Sequence, residues 1–581
     1  MSIVRRIWSL LLPRQRESAV LLFAAVLVAT LLETVSIGLV VPALAFLTRD
    51  MSATSPHMTS WLTWLGNPAP NRLTLLVLVG ILMVYAARAV FLLCKEYWHA
   101  TFTSAIQAST SRRLFALYLA QPWTFHLQRH SATLMRTINE SQEFASLCGI
   151  LFSATSESLV LVTLLGLLLW YEPMGTIVIA GMLGVAAWLF QAIARPYSLR
   201  WNNARRHHSR MVIQHVQQGI GGAKDVIIRG CEREFLERFR HHTDARARIA
   251  ALQSLMSRVP RLWFELLAVA ALLLLTSVLV WQDASSERVL PMLGLFAMVA
   301  FRMLPSVNNL TNWAIRLRSA ESMLDHLANE LTLGHDSLGA RHGHPVIFRD
   351  DLLIDGVSYR YPGATEDVLH DVRLRIPHGT MAGFVGSSGA GKSTLIDVIL
   401  GLLTPTAGRV LVDGLDIQEN LRGWQDRIGY VSQAIYLCDD SIRRNVAFGV
   451  ADADIDDGAV RRALQAAQLD QFVDGLAEGI ETNVGERGVR LSGGQRQRIG
   501  IARALYHGPA VLVLDEATSA LDTETEESVM AAVNALHGTK TVIIVAHRLT
   551  TVANCDRLYR LDHGRIVQSG NYTNVVPSSV R

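Results

Sequence analysis

The chain has 581 residues, half of them hydrophobic and only 18% charged, with a net charge of +4. That length exceeds one ordinary globular core and predicts more than one domain, while the small net charge gives no reason to expect nucleic acid as a partner. Five scattered cysteines, with no CxxC pair, argue against a disulfide framework or a structural zinc site.

Long uncharged runs fill the first 305 positions, and the remainder reads as soluble α/β. A bilayer span needs about 20 mostly apolar residues. Six segments meet this, at roughly 19–47, 73–98, 147–170, 174–194, 262–281 and 287–306. The first runs too long for a cleaved signal sequence, and no small-residue cleavage site follows it, so it reads as a retained helix. In the connection after it, Met58, Trp61, Leu62 and Leu65 share one helical face and predict a short helix, either lying on the outer membrane surface or packed within its loop.

Orientation follows from the distribution of Lys and Arg. Arg5, Arg6, Arg14 and Arg16 precede the first span, Arg112, Arg113, Arg129 and Arg136 lie between spans 2 and 3, and Arg200, Arg205, Arg206, Arg210, Lys224 and Arg229 lie between spans 4 and 5. The N-terminus, both long connections and the C-terminal region are therefore expected in the cytoplasm. Residues 99–146 and 196–258 contain few helix breakers and are expected to prolong the spans as cytoplasmic extensions. The pairs His207–His208 and His241–His242 read as solvated positions on these extensions, because adjacent residues do not share a helix face.

Three cations sit in or beside apolar runs: Arg88 in VYAARAVFLL, Arg261 in SRVPRLWFEL and Arg302 in GLFAMVAFRMLPS. Placing an arginine in hydrocarbon costs roughly 2.5 to over 10 kcal/mol, so each needs a reason. One reason is snorkelling or pairing with Glu33, Glu157 or Glu265. The other is an anionic cargo.

The expected domains are 1–330 in the membrane, a linker at 331–350 and a nucleotide-binding domain at 351–581. In the last, GFVGSSGAGKSTL matches G-x-x-x-x-G-K-[ST], with an apolar strand-like run before it and a helical run after it. Gly386, Ser387, Gly389 and Gly391 form a loop whose N–H groups suit phosphate oxygens, ahead of a helix N-terminus at Lys392, Ser393 and Thr394. Lys392 is expected on the β and γ phosphates and Ser393 on Mg²⁺. VLVLDEATSALD is a strand ending in two acids. Asp515 is expected near the metal, and Glu516 is expected to orient or deprotonate the attacking water. TVIIVAHR places His547 at the end of another strand, as a γ-phosphate contact.

Between these motifs lies LSGGQRQRIGIARAL, where Ser492, Gly493, Gly494 and Gln495 stand before a basic helix. It resembles the signature of ABC ATPases. The resemblance implies further roles: Tyr361 stacks on adenine, Gln433 joins the metal and water, and Asp522 belongs to the D-loop. It also implies ATP and Mg²⁺ as cofactors, and a homodimer, since the signature of one such domain closes over ATP held by another. Six spans fused to one ATPase domain resemble the ABC exporter type, whose coupling helices would lie near 125–134 and 223–233. The expected architecture is an all-α six-helix transmembrane domain with cytoplasmic extensions, fused to an α/β P-loop ABC ATPase domain.

Membrane segments such as LLETVSIGLVVPALAFL, YLAQPWTFHLQRHSATLMRTINE and QQGIGGAKDVIIRGCEREF are similar to the PglK-type lipid-linked oligosaccharide flippases. That likeness implies movement of a polyprenyl-pyrophosphate oligosaccharide to the outer leaflet of the inner (plasma) membrane, with Arg88, Arg261 and Arg302 attracting the pyrophosphate. The alternative is an exporter of amphipathic drugs, lipids or peptides.

Overall fold

The structure is a computed structural model that describes residues 3–39, 70–171, 173–281, 286–333, 344, 346–516, 523–546 and 548–576. The helix expected around Met58–Leu65, most of the expected linker, Asp522 and His547 lie outside them. The chain divides into two compact units, Met1–Leu119 with Ala132–Leu333, and Ala120–Ser131 with Gly334–Arg581.

The helical part comprises α1 (Ile3–Leu10), α2 (Pro13–Gly38), α3 (Pro70–Ala120), α4 (Trp123–Gln128), α5 (Ser131–Tyr171), α6 (Pro173–Gly221), α7 (Ala223–Arg229), α8 (Glu232–Trp281), α9 (Ser286–Ser319) and α10 (Glu321–Leu331). Among the described residues, three helices are long and apolar enough to cross a membrane: Pro13–Gly38, Leu78–Ala120 and Ser131–Trp170. The other expected spans fall within α6, α8 and α9, and α6 contains the shorter apolar stretch Ala180–Ala194. At 1.5 Å per residue, the 51-residue α3 is about 75 Å long, well beyond a hydrocarbon core of about 30 Å.

The helices break where local chemistry demands it. Pro122 is the N-cap of α4, with extended backbone. Gly230 closes α7 in the left-handed region at φ 59°, and Cys231 N donates to Val226 O in a Schellman pattern. The first short helix therefore starts at Trp123 rather than near 125, because Pro122 supplies no amide proton and fits the entry to a helix.

On α2, Leu22, Ala25, Val26 and Ala29 form a buried stripe at helical spacing. Thr34 Oγ1 donates to Thr163 Oγ1 at 2.9 Å, joining α2 to α5. Of the paired histidines, His207 and His241 are exposed, as expected, whereas His208 and His242 are half-buried. His208 and His242 face each other across α6 and α8 with Nδ1 atoms 2.9 Å apart, and the His215 ring stacks on His242. The two helices pack side by side, so residues far apart in sequence share a seam. Among the described residues, no group of three or more potential ligands is arranged to hold a metal ion.

The C-terminal unit holds two sheets. The first is antiparallel, in the order β2–β1–β4–β5, formed by β1 (Asp351–Tyr359), β2 (Leu369–Pro377), β4 (Ala407–Val412) and β5 (Leu415–Asp416). The second has the order β10–β9–β3–β8–β7–β6, with β3 (Met381–Val385), β6 (Ile428–Val431), β7 (Val511–Asp515), β8 (Thr541–Val545), β9 (Arg557–Asp562) and β10 (Arg565–Gly570). Every pairing in it is parallel except β10 with β9. Strands β3, β7 and β8 are buried at every position, as strands covered on both faces must be, which is why they read as unbroken apolar runs. Helix α11 (Lys392–Ile399) follows β3, and α12 (Gly493–Leu505) carries Gly494 and Gln497 into the interior.

Candidate functional site

Parallel order in the second sheet sets β3, β8 and β7 side by side, so their C-terminal ends lie at one edge of the sheet. The loop after β3 turns into α11 through Gly391, whose φ is 98°. A Cβ there would stand 3.0 Å from Leu369 Cδ2 and 3.2 Å from Val368 O, so glycine is required by both strain and space. Gly389 also has positive φ, at 82°, but faces open space. The result is a loop with exposed Ser387 and Ser393 beside a buried Lys392.

Lys392 Nζ donates to Gly386 O at 2.9 Å and Ser387 O at 3.0 Å, which holds the ammonium inside the loop. Burial lowers its pKa, opposed by the charges of Glu516 and Asp515. Asp515 ends β7, only 8% exposed, and Tyr430 within β6 donates to its Oδ2 at 3.5 Å. Burial and the nearby Asp515 raise the pKa of the Tyr430 hydroxyl. Glu516 occupies the left-handed region at φ 50° and donates its N–H to Val545 O at 3.0 Å. Gln433 Nε2 donates to Glu516 Oε2 at 2.6 Å. Tyr361 hydrogen-bonds Thr394 through their hydroxyls at 3.1 Å, which tethers its hydroxyl to the first turn of α11.

The structure thus gathers Tyr361, the 386–394 loop, Gln433, Asp515 and Glu516. Sequence reasoning missed Tyr430 and Asp397. Burial and the charge of Asp515 push the Asp397 carboxyl up to about 6, against a hydrogen bond from Trp123. Neither residue belongs to a recognisable spacing; the only signals were a tyrosine in the strand ahead of Gln433 and an acid on the apolar helix that follows the loop.

The signature lies elsewhere. Ser492 caps α12, accepting from Gln495 N at 3.3 Å, while Gln495 Oε1 accepts from Ser492 N at 2.8 Å. This reciprocal capping box leaves Ser492 and Gly493 exposed at a helix N-terminus. Among the described residues, no hydrogen bond or ion pair joins Ser492–Gln495 to the 386–394 loop.

Two of the three arginines expected to meet the cargo have partners. Arg302 on α9 donates through Nε to Glu33 Oε1 and through Nη1 to Glu157 Oε2 at 3.3 Å and Ser306 Oγ at 2.9 Å. Arg88 Nη2 donates to the same Glu33 oxygen at 3.0 Å. Ser306 Oγ also donates to Glu157. Arg261, directly after Pro260 inside α8, is exposed and forms no ion pair among the described residues. Of the three arginines, the structure brings Arg88 and Arg302 together and leaves Arg261 apart.

Residues 369–519 match the ABC transporter family model. An ATP-dependent lipid A-core flippase of Cupriavidus pinatubonensis is 30% identical over 87% of this chain and 85% of its own length. Proteins of the same name from Albidiferax ferrireducens and Bordetella pertussis are 32% and 34% identical, over 87% and 73% of the chain and 87% and 68% of their own lengths. A bacterial Atm1-family ABC exporter solved with ATP bound shares the fold, with a TM-score of 0.74 at 23% identity over 96% of this chain and 95% of its own.

Proposed function

Since the chain belongs to the ABC transporter family, as an ATP-hydrolysing exporter chain embedded in a membrane, we propose that it flips a phosphate-bearing glycolipid from the cytoplasmic to the outer leaflet of the inner membrane. The observation that carries the cargo is the Arg88–Arg302 cluster set among apolar helices. Guanidinium forks suit phosphate oxygens. The polyprenyl-pyrophosphate oligosaccharide expected from the sequence and the lipid A-core named for the relatives share a lipid tail, phosphate and sugar.

The engine works as a homodimer with six spans per chain, the N-terminus and ATPase domain being cytoplasmic. Tyr361 stacks on adenine. Lys392 gives up its hydrogen bonds to Gly386 O and Ser387 O for the β and γ phosphates. Ser492 and Gly493 of the second chain approach the γ-phosphate from the helix N-terminus they expose. Contact across the interface favours the closed state, so ATP shifts the conformational equilibrium. Glu516, held by Gln433, orients and deprotonates the attacking water, and His547 contacts the γ-phosphate. Ser393, Asp515 and Gln433 offer hydroxyl, carboxylate and amide oxygens, a donor set that suits Mg²⁺, which when bound neutralises phosphate charge.

The test is ATP hydrolysis by the full-length protein in nanodiscs titrated with phosphorylated glycolipids and their dephosphorylated counterparts. Stimulation by the first set alone is expected. Equal stimulation by both sets contradicts a phosphate-reading site.

A further inference from the structure

We propose that Glu33 is a built-in counter-anion that occupies the arginines until a lipid phosphate displaces it; the idea rests on the flippase reading above. Arg88 and Arg302 supply two positive charges, and Glu33 and Glu157 supply two negative ones, so the cluster is neutral. A neutral cluster exerts no net pull on a phosphate. Binding therefore requires a carboxylate to leave.

Glu33 is the better placed of the two. It is 5% exposed, and its Oε1 accepts from both Arg88 and Arg302. A carboxylate and a phosphate present similar oxygens to a guanidinium and compete for the same N–H edges. The cluster also contains a donor in waiting: Arg88 Nε is buried and has no hydrogen-bond partner among the described residues. A phosphate oxygen at Arg88 would satisfy it.

Stability alone gives little reason for the arrangement, because apolar residues of similar volume commonly replace buried ion pairs without loss. The topology adds a consequence. Glu33 lies on α2, Arg88 on α3, Glu157 on α5 and Arg302 on α9. These contacts tie four helices together, and departure of Glu33 removes its links from α2 to α3 and α9, while Tyr85–Ser36 and Gln15–Ser109 still join α2 to α3. Headgroup capture and loosening of this contact become one event.

The experiment uses the full-length protein in nanodiscs, with lipid A and a polyprenyl pyrophosphate as probes and their dephosphorylated forms as controls. Half-maximal concentrations for binding and for ATPase stimulation are measured. Glu33→Gln uncovers one positive charge and is expected to tighten binding of both phosphorylated probes about tenfold, the scale of one charge-assisted hydrogen bond. Glu157→Gln is expected to act in the same direction. The double variant Glu33→Gln/Arg88→Gln removes the uncovered positive charge together with a phosphate-binding guanidinium and is expected to lose the tightening seen in Glu33→Gln. Unchanged or weaker binding in both single variants, with wild type still responding to phosphorylated lipid, overturns the counter-anion and leaves the flippase reading standing. Tightening that extends to the dephosphorylated controls overturns it as well. If no phosphorylated lipid binds wild type, the flippase reading fails and takes this inference with it. A wild-type structure with lipid bound gives an independent reading. Glu33 detached from Arg302 supports displacement, and Glu33 still bound to it overturns displacement.

Discussion

Glu516 combines a strained backbone with a tightly held side chain. A glutamate at φ 50° sits in a region that costs of order 1–3 kcal/mol outside glycine, and it is fixed there by Val545 O and Gln433. Such strain is retained where a side chain must be aimed. Glu516→Gln keeps the size and the hydrogen bond but removes the basic oxygen. It is expected to bind ATP normally while hydrolysis falls by at least about 100-fold. Nucleotide binding and phosphate release measured on the same preparation check this, and normal turnover contradicts a base at this position. At this scale the sequence was informative wherever chemistry imposes a spacing: the glycines and Lys392 of the loop, and the two adjacent acids where β7 ends. It was silent where a role comes from packing. Tyr430 reaches Asp515 only because β6 pairs with β7, and Glu33 meets Arg302 across 269 positions of chain.

At the scale of elements, the buried strands β3, β7 and β8 were legible as unbroken apolar runs, since a parallel strand covered on both faces has no polar side to show. The antiparallel sheet around β1 was not, because its half-buried strands carry mixed patterns and no motif. The two short helices were placed to within a few residues by the resemblance to ABC exporters, although the runs 99–146 and 196–258 read as nearly free of breakers, and the seam that brings His208 to His242 depends on how α6 and α8 register, which no local pattern records. The junction of β3 with α11 makes a sharp demand on sequence. Gly391→Ala is expected to cost about 1–3 kcal/mol from backbone strain, with further loss from the approach to Leu369 and Val368 O. Gly389→Ala suffers the strain without the contact, because nothing lies within 4 Å of its Cβ position. Thermal unfolding of the two variants is therefore expected to rank Gly391→Ala as the less stable and to find its ATP binding the weaker. The opposite order contradicts the geometry of the loop.

For the whole molecule, the sequence already conveyed a membrane helical part fused to an ATPase, because hydropathy and phosphate chemistry are both written locally. Cargo is written less openly. It resides in a few charges whose meaning depends on their neighbours, and pairing of Arg88 and Arg302 with Glu33 and Glu157 turns three apparent cations into one neutral cluster and one exposed arginine. The flippase account holds that this cluster reads lipid phosphate and that ATP drives the lipid across. The most direct measurement is transbilayer movement itself: the purified full-length protein in proteoliposomes, supplied with a fluorescent phosphorylated glycolipid and assayed for headgroup exposure with and without ATP. The account predicts ATP-dependent movement that is lost in Glu516→Gln and in Arg302→Ala, with Arg302→Ala still hydrolysing ATP. Vigorous hydrolysis by wild type with no movement of any phosphorylated glycolipid would contradict it.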